Sequence, residues 1–256
     1  MNIRVAQVRT VPEKGDLEAN HRTLMSVLGD LAGSAVDVVV TPECFLDGYV
    51  STEDAVSREG IKDYAIVPSD SPYVDSVSAW AGENSTWVVW GCSRLSPDGV
   101  YNTALIHGRR GELVGFYDKT HLQLHDYKYD PGQKLSVFDS DFGPFGVMIC
   151  ADRRWPETVR SLALQGARVI FNPTYGMHDD RNVRMMQTRS YESEVFIAFT
   201  HPQQSLLTGP TGDILCNDTS GDTLFSITEI DLSLVDEVRA GEMAHLRDRR
   251  TDLYLR

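Results

Sequence analysis

Short apolar runs rich in β-branched residues alternate along the chain with segments of helical periodicity, and this alternation constrains the fold most strongly. The runs "IRVAQV", "VDVVV", "TWVVWG", "GPFGVMIC", "ARVIFN" and "VFIAFT" have the length and composition of buried strands. Between them, residues 16–31, 73–82, 156–165 and 181–193 carry apolar side chains at helical spacing. A series of this kind predicts an α/β fold.

Antiparallel strands interrupt the series and predict mixed sheets. The stretch "GVYNTALIHGRRGELVGFYDK" reads as two strands joined at a "GRRG" hairpin signal. Further along, "TGPTGDIL" predicts a turn, "TLFSITEI" a strand and residues 231–239 a short helix. Because no Pro/Gly/Ser-rich linker divides the chain, we expect one domain over residues 1–256. The charged stretch 240–256 is expected to be either a C-terminal arm packed on a neighbouring subunit or a loose tail.

The charge balance argues against two classes of partner. Lys and Arg number 24 against 37 Asp and Glu, a net charge of −13, whereas nucleic acids and anionic membranes require a basic face. The first residues, "MNIRVAQVRT", lack a signal-peptide core, and no apolar run reaches the ~18 residues of a membrane span. Four widely spaced cysteines form no C-x-x-C motif. We expect a cytoplasmic protein with free thiols and no zinc ribbon.

Three polar residues that could act together follow apolar strands: Glu43, Lys119 and Cys150. Taken singly, a strand-end Glu or Lys is usually a solvated charge, and a Cys in an apolar strand is usually a small buried hydrophobe. Together they are the parts that acyl transfer at a C–N bond needs. A mostly protonated thiol requires a base, a carboxylate can carry its proton, and an ammonium can stabilise an oxyanion.

The sequence around these residues resembles the motifs of the carbon–nitrogen hydrolase (nitrilase) superfamily. The segments "TPECFLDGY", "YDKTHL" and "MICADRRWPE" are similar to its Glu, Lys and Cys motifs, and "TRSYESEVFIAFTH", "GPTGDIL" and "RRTDLY" also have counterparts. The resemblance implies a four-layer α-β-β-α sandwich with two mixed sheets, assembled as a homodimer or larger homo-oligomer. It also implies a thioester mechanism without metal or organic cofactor.

The resemblance assigns a role to each motif residue. Cys150 would attack the carbonyl or nitrile carbon, while Lys119 and the backbone N–H of Ala151 would hold the developing oxyanion. Glu43 would protonate the departing ammonia and then activate the water that hydrolyses the thioester.

The segment after Lys119 departs from the family pattern. Many members carry a second Glu six residues before a Pro-Gly, but "KTHLQLHDYKYDPG" contains no Glu and has His125 at that distance. If the segment is shorter by about one residue, Asp126 takes the position of the Glu. Asp126 is therefore the candidate for the second carboxylate, and His125 is the alternative.

The same segment allows a rival interpretation as a metal site. His121 and His125 are spaced i, i+4, which would place both on one face of a helix, with Asp126 and Asp130 nearby. However, "DYKYDPG" is typical of a loop, and no third histidine follows at a ligand spacing. We therefore expect no metal, and expect His121 to orient the loop behind Lys119.

The residues after Cys150 bear on the substrate. "CADRRWPE" is similar to the N-carbamoyl-D-amino acid amidohydrolases, in which such arginines hold the substrate carboxylate. A planar guanidinium suits a carboxylate because it can donate two parallel hydrogen bonds. Arg153 and Arg154 are accordingly substrate-binding candidates, and the alternative is that they pair with Asp152 and Glu157. Ala151 replaces the family's Asn, and the chain is shorter than these enzymes.

The sequence therefore predicts a hydrolase of a non-peptide C–N bond in a small linear amide or N-carbamoyl (ureido) compound. Alternatives are a catalytically idle nitrilase-like binding or scaffold subunit, a metal-dependent hydrolase and, since a Cys-Trp-Glu-type sequence is absent, less readily a nitrile hydrolase. Further candidates for the walls of the substrate pocket lie in loops: Tyr49, Trp155, Asn172, Thr174 and Tyr175.

Overall fold

Two six-stranded sheets lie face to face at the centre of the fold. The computed structural model describes residues 1–242 and 244–254. The first sheet has the strand order β12-β1-β2-β3-β4-β5 and the second β11-β10-β9-β8-β7-β6. The strands are β1 (Asn2–Val8), β2 (Val38–Val40), β3 (Trp87–Ser96), β4 (Gly99–His107), β5 (Leu113–Asp118), β6 (Val137–Phe138), β7 (Phe145–Val147), β8 (Val169–Pro173), β9 (Phe196–His201), β10 (Gln204–Thr208), β11 (Ile214–Asp218) and β12 (Phe225–Asp231).

Both sheets are mixed, as the sequence predicts. The three central strands β1, β2 and β3 run parallel, and β7, β8 and β9 do the same in the second sheet. The remaining pairings are antiparallel. The described part of the chain also contains five α-helices: α1 (Leu17–Leu31), α2 (Pro72–Asn84), α3 (Pro156–Leu164), α4 (Asp180–Ser193) and α5 (Ser233–Ala240).

Alternating side chains in the strands divide the core into layers. In β2, Val38 and Val40 point into the interface between the two sheets, whereas Val39 packs with the apolar face of α1 and α2. In β8, Phe171 faces the sheet interface and Ile170 packs with α3 and α4. Strand side chains alternate with a period of two, so each sheet buries both of its faces. The predicted four-layer α-β-β-α sandwich is confirmed.

Helix starts follow local capping chemistry. The Asp16 carboxylate accepts a hydrogen bond from the Ala19 N–H at 2.9 Å at the start of α1, and Asp179 caps α4 in the same way. These bonds satisfy backbone N–H groups that have no partner within the helix. Pro72 and Pro156 begin α2 and α3, where a missing N–H costs nothing.

Two features of the sheets differ from the sequence expectation. Strand β3 extends from the predicted 86–91 to Ser96, because it pairs with β4 as far as Ser96 opposite Gly99 in a tight hairpin. Strands β10 and β11 flank the predicted "TGPTGDIL" turn but were not themselves expected. Strand β11 is a half-exposed edge strand of mixed polarity, so it carries no strong apolar signal.

The start of the C-terminal segment folds back on its own chain. Ala244 is fully buried, and the backbone N–H groups of His245 and Leu246 donate to the buried carboxylate of Glu194 at the end of α4. Part of the predicted arm, residues 243, 255 and 256, lies outside the described residues. Packing of the arm on a neighbouring subunit stays a prediction.

None of the helices that the structure describes is both long and apolar enough to cross a membrane.

Candidate active site

Glu43, Lys119 and Cys150 lie at one place because the ends of strands from both sheets meet there. Glu43 follows β2 and Lys119 follows β5, both in the first sheet, and Cys150 follows β7 in the second. The Lys119 ammonium donates to Glu43 Oε1 at 2.7 Å. Lys119 and Cys150 line the same cavity. Three residues far apart in sequence thus form one cluster.

Glu43 is buried and every one of its observed partners is a donor. Oε1 accepts from the Asn102 amide at 2.8 Å as well as from Lys119, and Oε2 accepts from the Tyr175 backbone N–H at 3.0 Å. Burial raises the pKa of Glu43 above its usual value, and the neighbouring ammonium opposes this only in part. A carboxylate with a raised pKa is suited to moving a proton near neutral pH.

Lys119 is a buried cation held between two carboxylates. Its Nζ lies 2.7 Å from Glu43 Oε1 and 2.6 Å from Asp126 Oδ2. Burial alone lowers the pKa of Lys119, but the negative charges around it outweigh this and raise the pKa well above the usual value. The side chain therefore keeps its positive charge throughout the neutral range.

The sequence left open whether Asp126 or His125 replaces the second Glu, and in the structure Asp126 contacts Lys119. It lies in a 3₁₀ helix, Leu124–Lys128, and its buried carboxylate binds Lys119 through Oδ2. Oδ1 accepts from the Tyr49 hydroxyl at 2.7 Å. His125, one residue earlier, is exposed. The geometry favours Asp126 as the second carboxylate.

Cys150 stands on a tight turn rather than inside a strand. Strand β7 ends at Val147, and Cys150 begins a 3₁₀ helix, Cys150–Arg154, with φ of 43°. A left-handed conformation costs a non-glycine residue about 1–2 kcal/mol, so its neighbours must hold it in place. The Asp152 carboxylate does so by accepting from the Ile149 N–H at 2.9 Å. Burial raises the pKa of the Cys150 thiol, which keeps the sulfur protonated at rest.

Arg153 is a buried guanidinium beside the sulfur. Its Nη1 lies 3.5 Å from Cys150 Sγ, Nε donates to Asn182 Oδ1 at 2.7 Å, and Nη2 donates to the Met177 carbonyl at 2.8 Å. Arg154 is exposed and donates to Gln123 Oε1 at 2.5 Å.

The alternative role of the two arginines, as internal ion-pair partners, does not describe this arrangement. Within residues 1–242 and 244–254, neither Asp152 nor Glu157 forms an ion pair with either arginine, since Asp152 binds His121 at 2.8 Å instead. The Arg153 charge is therefore buried among neutral partners.

A cavity of about 290 Å³ opens above the cluster. Five of the sequence candidates for substrate binding line it, and three do not. The lining residues are Tyr49, Thr52, Lys119, Gln123, Leu124, His125, Asp126, Cys150, Ala151, Arg153, Arg154, Tyr175, Gly176 and Met177.

The other three candidates lie behind the cavity wall, because their side chains are engaged elsewhere. Trp155 stacks on His121 with ring centroids 4.3 Å apart. The Asn172 amide donates to the Met148 carbonyl, and the Thr174 hydroxyl donates to the Asn172 carbonyl. These side chains stabilise the loops that carry the site and do not reach the cavity.

The histidine pair of the metal interpretation does not share a helix face. His121 lies in the turn before the 3₁₀ helix, where its Nδ1 and backbone N–H both contact Asp152. It thus connects the Lys119 loop to the Cys150 turn. In the described part of the chain, no three His, Cys, Asp or Glu side chains are grouped to hold a metal ion.

Sequence reasoning missed two partners of Glu43. Asn102 lies within β4, and a polar residue inside the apolar run "VYNTALIH" is a signal that could have found it. The second partner is the backbone N–H of Tyr175, which no residue type reveals.

Comparison with known proteins identifies the family. Residues 2–240 match the family described as Carbon-nitrogen hydrolase. The chain belongs to this family. A nitrilase of Pyrococcus abyssi is 28% identical over 99% of this chain and 100% of its own length. The omega-amidase NIT2-A of Xenopus laevis is 26% identical over 98% of this chain and 96% of its own.

Solved structures share the fold. Nit3 of Saccharomyces cerevisiae, a member of branch 10 of the nitrilase superfamily, superposes with a TM-score of 0.80 at 24% identity, covering 97% of each chain. An amidase from Nesterenkonia sp. gives 0.78 at 21% identity, covering 98% of this chain and 94% of that one. Membership in the nitrilase superfamily, expected from the motifs, is confirmed.

Proposed function

We propose that this carbon–nitrogen hydrolase cleaves the C–N bond of a small linear amide through a thioester on Cys150. The observation that carries the proposal is the buried Lys119 ammonium, which binds both Glu43 and Asp126 and lines the same cavity as Cys150. This arrangement supports the proposal that Glu43 acts as base, Lys119 as a fixed positive charge and Cys150 as nucleophile on one small substrate. Asp126 and Tyr49 keep the ammonium in position.

The first half of the reaction forms the acyl-enzyme. Since burial keeps the thiol protonated, Glu43 accepts the proton of Cys150 as the sulfur attacks the carbonyl carbon. The oxyanion that forms is stabilised by the Lys119 ammonium and the Ala151 backbone N–H. Glu43 then gives the proton to the nitrogen, the C–N bond breaks and ammonia leaves.

The second half reverses these roles. Glu43 takes a proton from water, and the hydroxide equivalent attacks the thioester carbonyl. The tetrahedral intermediate uses the same two donors. When the C–S bond breaks, the proton on Glu43 returns to the Cys150 sulfur and the carboxylic acid product leaves. The sequence of steps needs no metal or organic cofactor.

The buried charge of Arg153 supports a substrate that carries a carboxylate. A guanidinium without a carboxylate partner is costly to bury, and an anionic substrate group would offset that cost. Arg153 and Arg154 both border the cavity within reach of the same small molecule. The second candidate substrate class, an N-carbamoyl amino acid, fits this observation equally well, since it presents both a C–N bond and a carboxylate.

A product assay distinguishes the candidates. Linear amides yield ammonia and a carboxylic acid, ureido compounds yield carbon dioxide as well as ammonia, and nitriles consume a second water. A binding or scaffold subunit yields none of these. Replacing Cys150 with Ala should abolish turnover and the acyl-enzyme adduct seen by mass spectrometry. Full turnover by the C150A variant would overturn the mechanism.

The role of Arg153 has its own test. In an Arg153→Met variant, KM for carboxylate-bearing substrates should rise about 10- to 100-fold, the value of a charge-assisted hydrogen-bonded pair. The KM of a neutral amide of similar size should change much less. Equal losses for both substrates would show that Arg153 acts on the fold or the sulfur and not on the substrate carboxylate.

We also propose that the chain self-associates and acts in the cytoplasm. Strand β5, an edge of the first sheet, exposes Leu113, Val114 and Phe116, and strand β11, an edge of the second sheet, exposes Ile214 and Leu215. Exposed apolar edges of this kind favour contact with a second copy. Sedimentation of the purified chain at several concentrations would show a dimer or larger species, or a monomer if the proposal is wrong.

A further inference from the structure

Residues 175–178, here called the 175–178 loop, lie against two groups of the site. The backbone N–H of Tyr175 donates to Glu43 Oε2 at 3.0 Å. A side-chain carbon added at Gly176 would lie 3.5 Å from Cys150 Sγ, so the backbone passes directly over the sulfur. The loop thus determines both the environment of the base and the space above the nucleophile.

The same loop also holds the buried guanidinium. The carbonyl of Met177 accepts from Arg153 Nη2 at 2.8 Å. A displacement of the loop would therefore change the surroundings of Glu43, Cys150 and Arg153 together. What keeps the loop in place is consequently important for the site as a whole.

His201 binds the loop from behind. It is the last residue of β9 and is 4% exposed. Its Nδ1 accepts from the Gln203 backbone N–H at 3.0 Å, which leaves the ring proton on Nε2. Nε2 then donates to the Tyr175 carbonyl at 2.8 Å. Both ring nitrogens are used, and the acceptor role of Nδ1 requires the neutral imidazole.

The surroundings of His201 preserve that neutral state. Burial lowers the pKa of His201 to about 4, and the nearby His178 and Arg153 act in the same direction. The ring of His178 stacks on it at 4.1 Å between centroids. Near neutral pH the imidazole therefore remains a donor through Nε2 and an acceptor through Nδ1.

We infer that His201 is a positioning residue of the site: by binding the Tyr175 carbonyl it holds the Tyr175 N–H on Glu43 and Gly176 over Cys150. His201 does not line the active-site cavity and acts through the loop alone. The kinetic consequences rest on the proposed function, whereas the effect on the loop does not.

Three variants test the inference. His201→Leu removes the bond to Tyr175, and His201→Gln keeps an N–H donor on a side chain of similar reach. Gln203→Ala is the matched control, because it removes an exposed side chain two residues from His201 and keeps the backbone N–H that binds Nδ1. Thermal unfolding of each variant checks that the fold is retained.

Kinetics of the amide or ureido substrate give the first result. H201L should lower kcat about tenfold, the usual weight of one hydrogen bond to a charged group, with a smaller change in KM. The acid limb of the kcat/KM profile should move to higher pH, because losing an N–H donor disfavours ionised Glu43 among Lys119, Asp126 and Asn102. H201Q should recover part of the loss, and Q203A should match the wild type.

Amide hydrogen exchange of peptides covering residues 174–178 gives the second result, independent of activity. H201L should exchange faster there than the wild type, and Q203A should not. Wild-type protection in H201L, or an unmoved acid limb, would overturn the inference. If the wild type turns over no substrate while C150A behaves identically, the proposed function fails, and the exchange result still decides the role of His201.

Discussion

The carboxylate of Asp126 lies 2.6 Å from the Lys119 ammonium, closer than the 2.7 Å that separates this ammonium from Glu43. A short side chain therefore brings a second carboxylate group to the ammonium, although the segment that carries it contains no Glu. The 3₁₀ helix Leu124–Lys128 brings the backbone near enough for an Asp to reach. The Tyr49 hydroxyl fixes the other oxygen.

Replacing Asp126 with Asn should impair catalysis much more than folding. Asn keeps the shape but removes the negative charge that fixes the ammonium, so Lys119 no longer sits where the oxyanion forms. We expect kcat to fall about a hundredfold, as when a donor in a preorganised site is lost or displaced. Steady-state kinetics and thermal unfolding measure the two effects.

His125→Ala tests the alternative that the sequence left open, in which His125 and not Asp126 takes the position of the second Glu. His125 lines the cavity, but Asp126 and not His125 binds Lys119, so removal of His125 should affect KM more than kcat and change kcat less than about threefold. If H125A lost activity as D126N does, the second acidic group would have been assigned to the wrong residue.

Activity should fall on acidification at a higher pH than an exposed Glu would give. In the proposed mechanism Glu43 must be ionised to accept the thiol proton, and burial raises its pKa above the usual ~4.3, so activity should be lost as pH falls through that raised value. Glu43→Gln should lower kcat about 10²- to 10⁴-fold. The acid limb should also disappear from its residual activity, which a profile of kcat/KM against pH would show.

The cluster of Glu43, Lys119 and Cys150 could be predicted from the sequence because each residue is marked by the residues next to it in the chain. Glu43, Lys119 and Cys150 each follow an apolar strand, and strand ends meet at sheet edges. Tyr175 and His201 also follow apolar strands, but the sequence does not show that the two residues contact each other. They meet because β8 and β9 pair in parallel with Pro173 opposite Thr200, a register between distant segments that hydrophobic periodicity does not contain.

Sequence patterns also do not show where a side chain points, and three residues predicted to line the substrate pocket do not reach it. Trp155, Asn172 and Thr174 are close to the site in sequence, but proximity does not determine the direction of a side chain. The Asn172 amide donates to the Met148 carbonyl on the neighbouring loop, and the Trp155 ring stacks on His121. Polar residues after a strand serve backbone groups as readily as substrates.

Acid should destabilise the fold through His107, a fully buried histidine whose Nδ1 lies 3.0 Å from Ser78 Oγ. Burial lowers the pKa of His107 to about 4. Between that value and the ~6.5 of the unfolded chain, only the unfolded state takes up the proton, so stability is complete above that window and is lost as pH falls through it. The loss approaches about 3 kcal/mol.

His107→Gln removes this proton from the balance. The midpoint of urea unfolding should then fall less steeply on acidification than in the wild type, while His125→Gln, at an exposed position, should leave the slope unchanged. Identical slopes in H107Q and the wild type would mean that other groups control acid unfolding.

A methyl group at position 176 should obstruct the nucleophile without loosening the fold. It would lie 3.5 Å from Cys150 Sγ, in van der Waals contact with the sulfur and on the lining of the cavity. Gly176→Ala should therefore reduce kcat/KM about tenfold or more, since small displacements of reacting atoms are costly, and the loss should grow with the size of the substrate acyl group.

Gly29→Ala is the matched control, because nothing lies within 4 Å of its added carbon on helix α1. That variant should keep full activity and gain about 0.5–1 kcal/mol of stability. Equal activity of G176A and G29A toward the largest substrate would show that substrates approach the sulfur from another side.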